Sequence, residues 1–144
     1  MNRYDPYIDG FIRYQNDPDD AHSLSNNVLW SIFEDVKGTL WVGTDGGGLN
    51  RLDRQTGEFT VFRNDPADPN SLAHDRVTAI YQDQDGIMWI GTRGGLDQLD
   101  PDTGMFSHYQ NDPEDLHSLS HNLIFDILED QAGDLWVGTT GGLN

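Results

Sequence analysis

The 144-residue chain has no cysteine, so neither a disulfide nor a thiolate metal site is available, and thiol-based redox chemistry is excluded. It is poor in cations, with 8 Lys and Arg against 25 Asp and Glu and a formal charge of −17, which repels nucleic acid and anionic lipid surfaces. Neither is expected as a partner. It has no apolar run approaching the roughly 18 residues of a membrane span. Its opening Met-Asn-Arg-Tyr-Asp-Pro has no basic segment leading into an apolar one, so the sequence as written is expected to be soluble and to lack an export address. The compartment is left open. Also missing is a sustained 3.6-residue apolar period, which excludes a helical fold.

Hydrophobic residues make up only 35%, and the mean hydropathy is −0.63. Yet four Trp, five Tyr and six Phe return at fixed intervals, which is the composition of a folded chain rather than a disordered one. The length suits a single domain.

Internal repetition organises the sequence. Leu-Trp-Val-Gly-Thr at 40–44 returns as Met-Trp-Ile-Gly-Thr at 88–92 and Leu-Trp-Val-Gly-Thr at 135–139, which sets Trp41, Trp89 and Trp136 at intervals of 48 and 47. Asn-Asp-Pro recurs at 16–18, 64–66 and 111–113, each time followed by Ser-Leu at 23, 71 and 118. The three units are 2–49, 50–96 and 97–143, and Asn144 starts the next period. The one-residue difference falls in a glycine loop, 45–48 against 93–95 and 140–142.

Each unit contains four short runs of β-branched and aromatic residues between turn residues. They are exemplified by 29–33, 40–44, 49–52 and 59–62, with Asp-x-x-Thr-Gly turns at 53–57 and 100–104. The first two runs are apolar on both faces, which fits a blade held between two neighbours better than one layer of a sandwich. A β-solenoid is the weaker alternative, since its repeats are usually shorter. The expected fold is therefore all-β, a β-propeller with three four-stranded blades per chain and split ends. Residues 2–5 and 11–14 read as the third and fourth strands of a blade, and 124–139 as the first and second strands of another. Closed propellers have about four to eight blades. Head-to-tail self-association is thus expected to complete the ring, favouring a six-bladed homodimer over a nine-bladed homotrimer. A fragment of a larger propeller has the same phase.

Leu-Trp-Val-Gly-Thr-x-Gly-Gly-Leu-Asn-Arg-Leu-Asp-x-x-Thr-Gly-x-Phe, together with the Asn-Asp-Pro and Ser-Leu-Ser elements, resembles the two-component regulator propeller repeat along the whole chain. The resemblance implies a sensor-type propeller, periplasmic in full-length relatives, which often respond to oligosaccharides. An oligosaccharide is accordingly the implied ligand class.

Candidate polar contacts are His22, Asn70, His74, Arg93, His117, His121 and Asp126, on the expectation that the long polar connections and the glycine loops emerge on one face. The plainer reading of most of them is loop capping. Asp126 replaces Ser31 and Ala79 of the other repeats, which suggests a carboxylate near the central channel. Trp41, Trp89 and Trp136 are expected as structural core between blades. The Asp-rich segments at 17–20, 65–68 and 112–115 offer oxygens of the kind calcium takes, but Asn-Asp-Pro more simply starts a turn, so no metal and no cofactor is expected. The glycine loops lack the Lys-Ser or Lys-Thr of a phosphate cradle. No Ser-His-Asp order or close carboxylate pair stands out, and no enzyme is expected.

Overall fold

A computed structural model describes residues 1–144, and it consists entirely of strands and turns. The strands are β1 Asn2–Asp5, β2 Gly10–Arg13, β3 Leu29–Glu34, β4 Leu40–Thr44, β5 Leu49–Leu52, β6 Phe59–Phe62, β7 Val77–Gln82, β8 Met88–Thr92, β9 Leu96–Leu99, β10 Phe106–Tyr109, β11 Ile124–Glu129, β12 Leu135–Thr139 and β13 Gly142–Leu143. They form two complete antiparallel meanders, β3-β4-β5-β6 and β7-β8-β9-β10, between the hairpin β1-β2 and the partial sheet β11-β12-β13. The repeat thus folds as blades, each ordered from an inner first strand to an outer fourth.

Radial packing follows from what lies between the blades. β7 touches both β3 and β11, so the first strands are neighbours in space. On β7, Ile80 joins a core with Trp41, Leu49, Met88, Ile90 and Phe106, while its neighbour Ala79 joins a second core with Ile124, Ile127 and Val137. Successive strand residues point to opposite faces, so the middle blade is apolar on both. A third core sets Leu24, Val42, Leu52 and Phe59 against Met1 and Tyr14, which seats the first hairpin on the outer part of the first complete blade.

The Gly of the Trp-x-Gly-Thr motif has a packing reason. A Cβ on Gly43 would stand 2.7 Å from Cγ1 of Val77, and one on Gly91 would stand 2.8 Å from Cγ2 of Ile124, side chains of the following blade in each case. Glycine is what lets adjacent blades approach this closely. In the glycine loop, Gly48 has φ +84° and a Cβ there would lie 2.1 Å from the Phe62 carbonyl oxygen, so both backbone and space require glycine.

The tryptophans are more than apolar filling. In each repeat an Asp six residues earlier accepts the indole N–H: Asp35 from Trp41 at 2.9 Å, Asp83 from Trp89 at 2.8 Å and Asp130 from Trp136 at 2.9 Å. The other oxygen of the same carboxylate accepts backbone N–H groups of the tight turn, from Lys37 and Thr39 in the first case. Burial pushes the Asp35 pKa up, but the hydrogen bonds from Trp41, Thr39 and Lys37 outweigh it and hold the carboxyl below the usual range. Asp130 is likewise held low, by Trp136 first and then by its turn amides. Trp41 is 1% exposed and Trp136 is 40% exposed. The difference arises because no blade follows β11-β13 within these residues.

Candidate functional site

The long connections between blades are rigidly tied. Asn16, Asn64 and Asn111 each donate from Nδ2 to the carbonyl of the Leu eight residues later, at 2.9, 2.8 and 2.6 Å. Asp17, Asp65 and Asp112 accept the backbone N–H two residues on, as do Asp20, Asp68 and Asp115. The Asp-rich segments therefore act as Asx turns. Nowhere do three or more His, Asp or Glu side chains gather as a metal ion would need.

These connections do not stay on one face. The backbone carbonyls of His22 and Asn70 accept from Phe59 and Phe106, the first residues of the outermost strands, at 2.7 and 2.8 Å. The glycine loops lie at the other end of those strands, where Gly48 abuts the Phe62 carbonyl. His22 and Asn70, with His117 at the same repeat position, are thus separated from the glycine loops. The physical reason is the buried Leu24 and Leu72, which draw each connection down between the blades before it returns to the inner strand.

His74 and His121 do sit beside the glycine loops. His74 Nδ1 accepts the Arg76 N–H at 2.9 Å and His121 Nδ1 accepts the Leu123 N–H at 3.0 Å, which leaves Nε2 as the protonated nitrogen of each neutral ring. Asn26 has the same position in the first blade: its Oδ1 accepts the Val28 N–H at 2.8 Å and its Nδ2 donates to the Asp45 carbonyl at 2.7 Å. Asn26 was not singled out from the sequence, although aligning the Ser-Asn and Ala-His pairs at 25–26 and 73–74 exposes it.

The next repeated position varies in charge. Asp45 of the first glycine loop forms an ion pair with Arg76 of the following blade, and Gly46 and Gly48 donate to the Asp75 carbonyl at 3.1 and 2.8 Å. The counterpart of Asp45 in the second blade is Arg93, which is exposed and has no hydrogen-bond or ion-pair partner for its side chain. Three to five residues after Asn26, His74 and His121, the innermost strands bulge between Leu29 and Ser31, Val77 and Ala79, and Ile124 and Asp126. The bulged residues are Trp30, Thr78 and Phe125. Trp30 and Phe125 are each 57% exposed. Thr78 is engaged, donating to the Gly91 carbonyl or the Ile124 carbonyl at 3.0 and 2.6 Å.

Asp126 keeps the repeat position read from the sequence but not the surroundings expected of it. Just after the bulged Phe125, it has the register of Ser31 and Ala79, opposite Gly138. It lies on the flank of β11-β12 with Leu128 and Trp136, on the side where the other blades meet their successor, rather than facing a channel.

One polar pair was missed. Asp97 is fully buried; its Oδ2 accepts the Ala73 N–H at 2.8 Å and its Oδ1 meets His108 Nδ1 at 2.7 Å, while His108 Nε2 donates to the Pro69 carbonyl at 2.9 Å. Burial pushes the Asp97 carboxyl up to about 6 against the opposing effect of His108. Asp97 in turn raises His108 despite that ring's own partial burial. The same position holds Asn2, Asn50 and Asn144 elsewhere, with Arg13 opposite Asn2 and Val61 opposite Asn50. The available signal was that Asp replaces Asn only where His stands opposite it.

The family model described as two component regulator propeller matches residues 23–46, 71–94 and 118–141, together half of the chain. Among solved structures, the chain is similar to an extracellular domain assigned to a hybrid two-component system of B. thetaiotaomicron, with 30% identity and a TM-score of 0.77. It is also similar to one assigned to a one-component system of the same organism, with 28% identity and a TM-score of 0.76. In both cases 99% of this chain covers 18% of the other, so it spans under a fifth of their length. PorZ, a surface component of the type-IX secretion system of Porphyromonas gingivalis, shares the fold at 21% identity and a TM-score of 0.67, over 96% of this chain and 20% of PorZ. No curated protein matches the chain.

Proposed function

The chain belongs to the two-component regulator propeller family, and on that premise we propose that it is a non-catalytic ligand-recognition segment of an extracellular or periplasmic sensor, taking neutral oligosaccharide at the inner rim of the propeller. The observation that carries this reading is the pair of solvent-exposed aromatics Trp30 and Phe125 at equivalent bulges of the innermost strands, close in sequence to the polar caps Asn26, His74 and His121. Exposed aromatic faces stack on the apolar face of a sugar ring, and amide, imidazole N–H and guanidinium groups bind its hydroxyls. The formal charge of −17 further favours neutral over anionic glycans. Arg93 adds an unpartnered donor on the same side.

Calorimetry against a panel of neutral oligosaccharides, paired with a Trp30→Ala variant, tests the reading. Binding weakened about tenfold or more by the variant supports it, since losing one stacked aromatic costs roughly 1.4 kcal/mol or more. A second reading is favoured by the fact that Asn26, His74 and His121 already spend an acceptor on their own backbone: a scaffold with no small ligand. Absence of binding across the panel, or binding indifferent to Trp30, establishes that one in its place.

A further inference from the structure

The first hairpin carries the third- and fourth-strand residues that the last partial sheet lacks beyond Asn144. In the first complete blade the third strand pairs Leu40 with Leu52, Trp41 with Arg51 and Val42 with Asn50; in the second, Trp89 pairs with Gln98. Arg51 lies over the rings of Trp41 and Phe62, with 5.9 and 5.7 Å to their centroids. The same repeat positions are Tyr4, Arg3 and Asn2 on β1, and Leu135, Trp136 and Val137 on β12. On the side away from β11, β12 has only Gly142, Leu143 and Asn144 beside it. Asn144 exchanges both backbone hydrogen bonds with Val137 at 3.0 Å and so holds the place opposite it, which an incoming Asn2 has to take over, whereas Trp136 and Leu135 have no third-strand partner.

A second set of unmet contacts involves Phe11. In the complete blades the equivalent Phe59 and Phe106 are 3% exposed and donate their N–H to the His22 and Asn70 carbonyls, whereas Phe11 is 63% exposed and the matching His117 carbonyl accepts nothing. Phe106 stacks edge-on against Phe62, with 6.0 Å between centroids. The counterpart of Phe62 in the second blade is Tyr109, which with Trp89, Leu119 and Leu135 lines an open hollow of about 480 Å³. At the equivalent places in the complete blades, Phe59 packs on Tyr14 and Phe106 on Phe62.

We propose that the β1-β2 hairpin of a second copy of this chain docks on β12 as its third and fourth strands, with Arg3 over Trp136, Phe11 in the hollow beside Tyr109 and the Phe11 N–H on the His117 carbonyl. Local charge agrees: the hairpin's Arg3 and Arg13 balance Asp5 and Asp9, while residues 110–134 are acidic without a single Lys or Arg. The next blade of the second copy then covers the β11-β12 flank. There Gly138 faces it as Gly43 and Gly91 face theirs, but in the single chain a Cβ on Gly138 meets nothing nearer than 3.7 Å. Asp126 opposes the docking, because Ser31 and Ala79 occupy this position where blades do meet and a carboxylate resists burial.

The test is solution mass by light scattering on the 144-residue chain from micromolar to millimolar concentration, in moderate salt to screen the like charge of the two copies. Two or three times 16.2 kDa is expected, for six or nine blades. Phe11→Ala weakens association roughly 30-fold or more, as truncating an interface anchor does. Gly138→Ala also weakens it without disturbing the single chain, and Asp126→Ala strengthens it. A mass of 16.2 kDa at every concentration overturns the proposal and assigns the hollow to a following repeat of a longer chain. Assembly indifferent to both Phe11→Ala and Gly138→Ala also overturns it.

Discussion

Replacing Asp35 by Asn separates the two tasks of that carboxylate. The amide oxygen can keep accepting from Lys37 and Thr39, but its NH2 then faces the Trp41 N–H, donor against donor. Trp41 is 1% exposed, so water cannot rescue the indole. An unsatisfied buried donor costs about 1–3 kcal/mol. At roughly 4 °C per kcal/mol for a chain of this size, the midpoint of thermal unfolding falls by about 4–12 °C. Asp35→Ala also loses the turn amides and costs about 1 kcal/mol more, as removing a cap does. Asp130→Asn is the internal control: its bond has the same length, but Trp136 is 40% exposed and water can take over the N–H. Thermal unfolding followed by tryptophan fluorescence, under conditions that keep the chain monomeric, reads all three. If Asp35→Asn lies within about 0.5 kcal/mol of the parent, or Asp130→Asn shifts the midpoint as far, burial of the indole N–H is not what gives this bond its weight.

The Asp97–His108 pair gives two further outcomes. His108→Val strands a buried carboxylate and costs about 3–5 kcal/mol in urea unfolding, whereas adding Asp97→Asn recreates the Asn50–Val61 pairing and recovers most of it; a double variant no better than the single one refutes the account. Both groups have raised pKa values when folded, so their stabilisation is full in acid, falls as pH rises through about 6 for Asp97 and continues to fall through the raised His108 value. Asp35, Asp100 and Asp130, held low, act in the opposite sense and lose their contribution only in stronger acid. Between pH 5 and pH 7.5 the parent chain should therefore lose stability relative to the double variant, and parallel profiles would contradict this. Gly91→Ala forces a methyl to within 2.8 Å of Ile124 and is expected to cost about 1–3 kcal/mol, while the same change at Gly138 is nearly silent in the monomer, both read by thermal unfolding.

Much of the candidate site was hidden for a definite reason. His74 and His121 stand out in the sequence as unusual residues, whereas Asn26, which makes the same backbone bond, does not. His22, Asn70 and His117 resemble them only in belonging to polar connections. Loop membership does not fix a face when a buried Leu two residues later pulls the loop between blades. Asp126 was set near the channel because it belongs to the innermost strand, but strand membership does not say which flank a side chain takes, and Asp126 shares the flank of Ser31 and Ala79.

The repeat, the four strands in each unit and the choice of blades over a sandwich are legible in the chain, because local periodicity and turn chemistry follow from sequence neighbours. Which side of each strand meets another blade, which Trp N–H is sealed from water, and the meeting of Asp97 with His108 emerge only on folding. Those depend on residues brought together across the sheet and between blades, a distance that spacing along the chain does not encode.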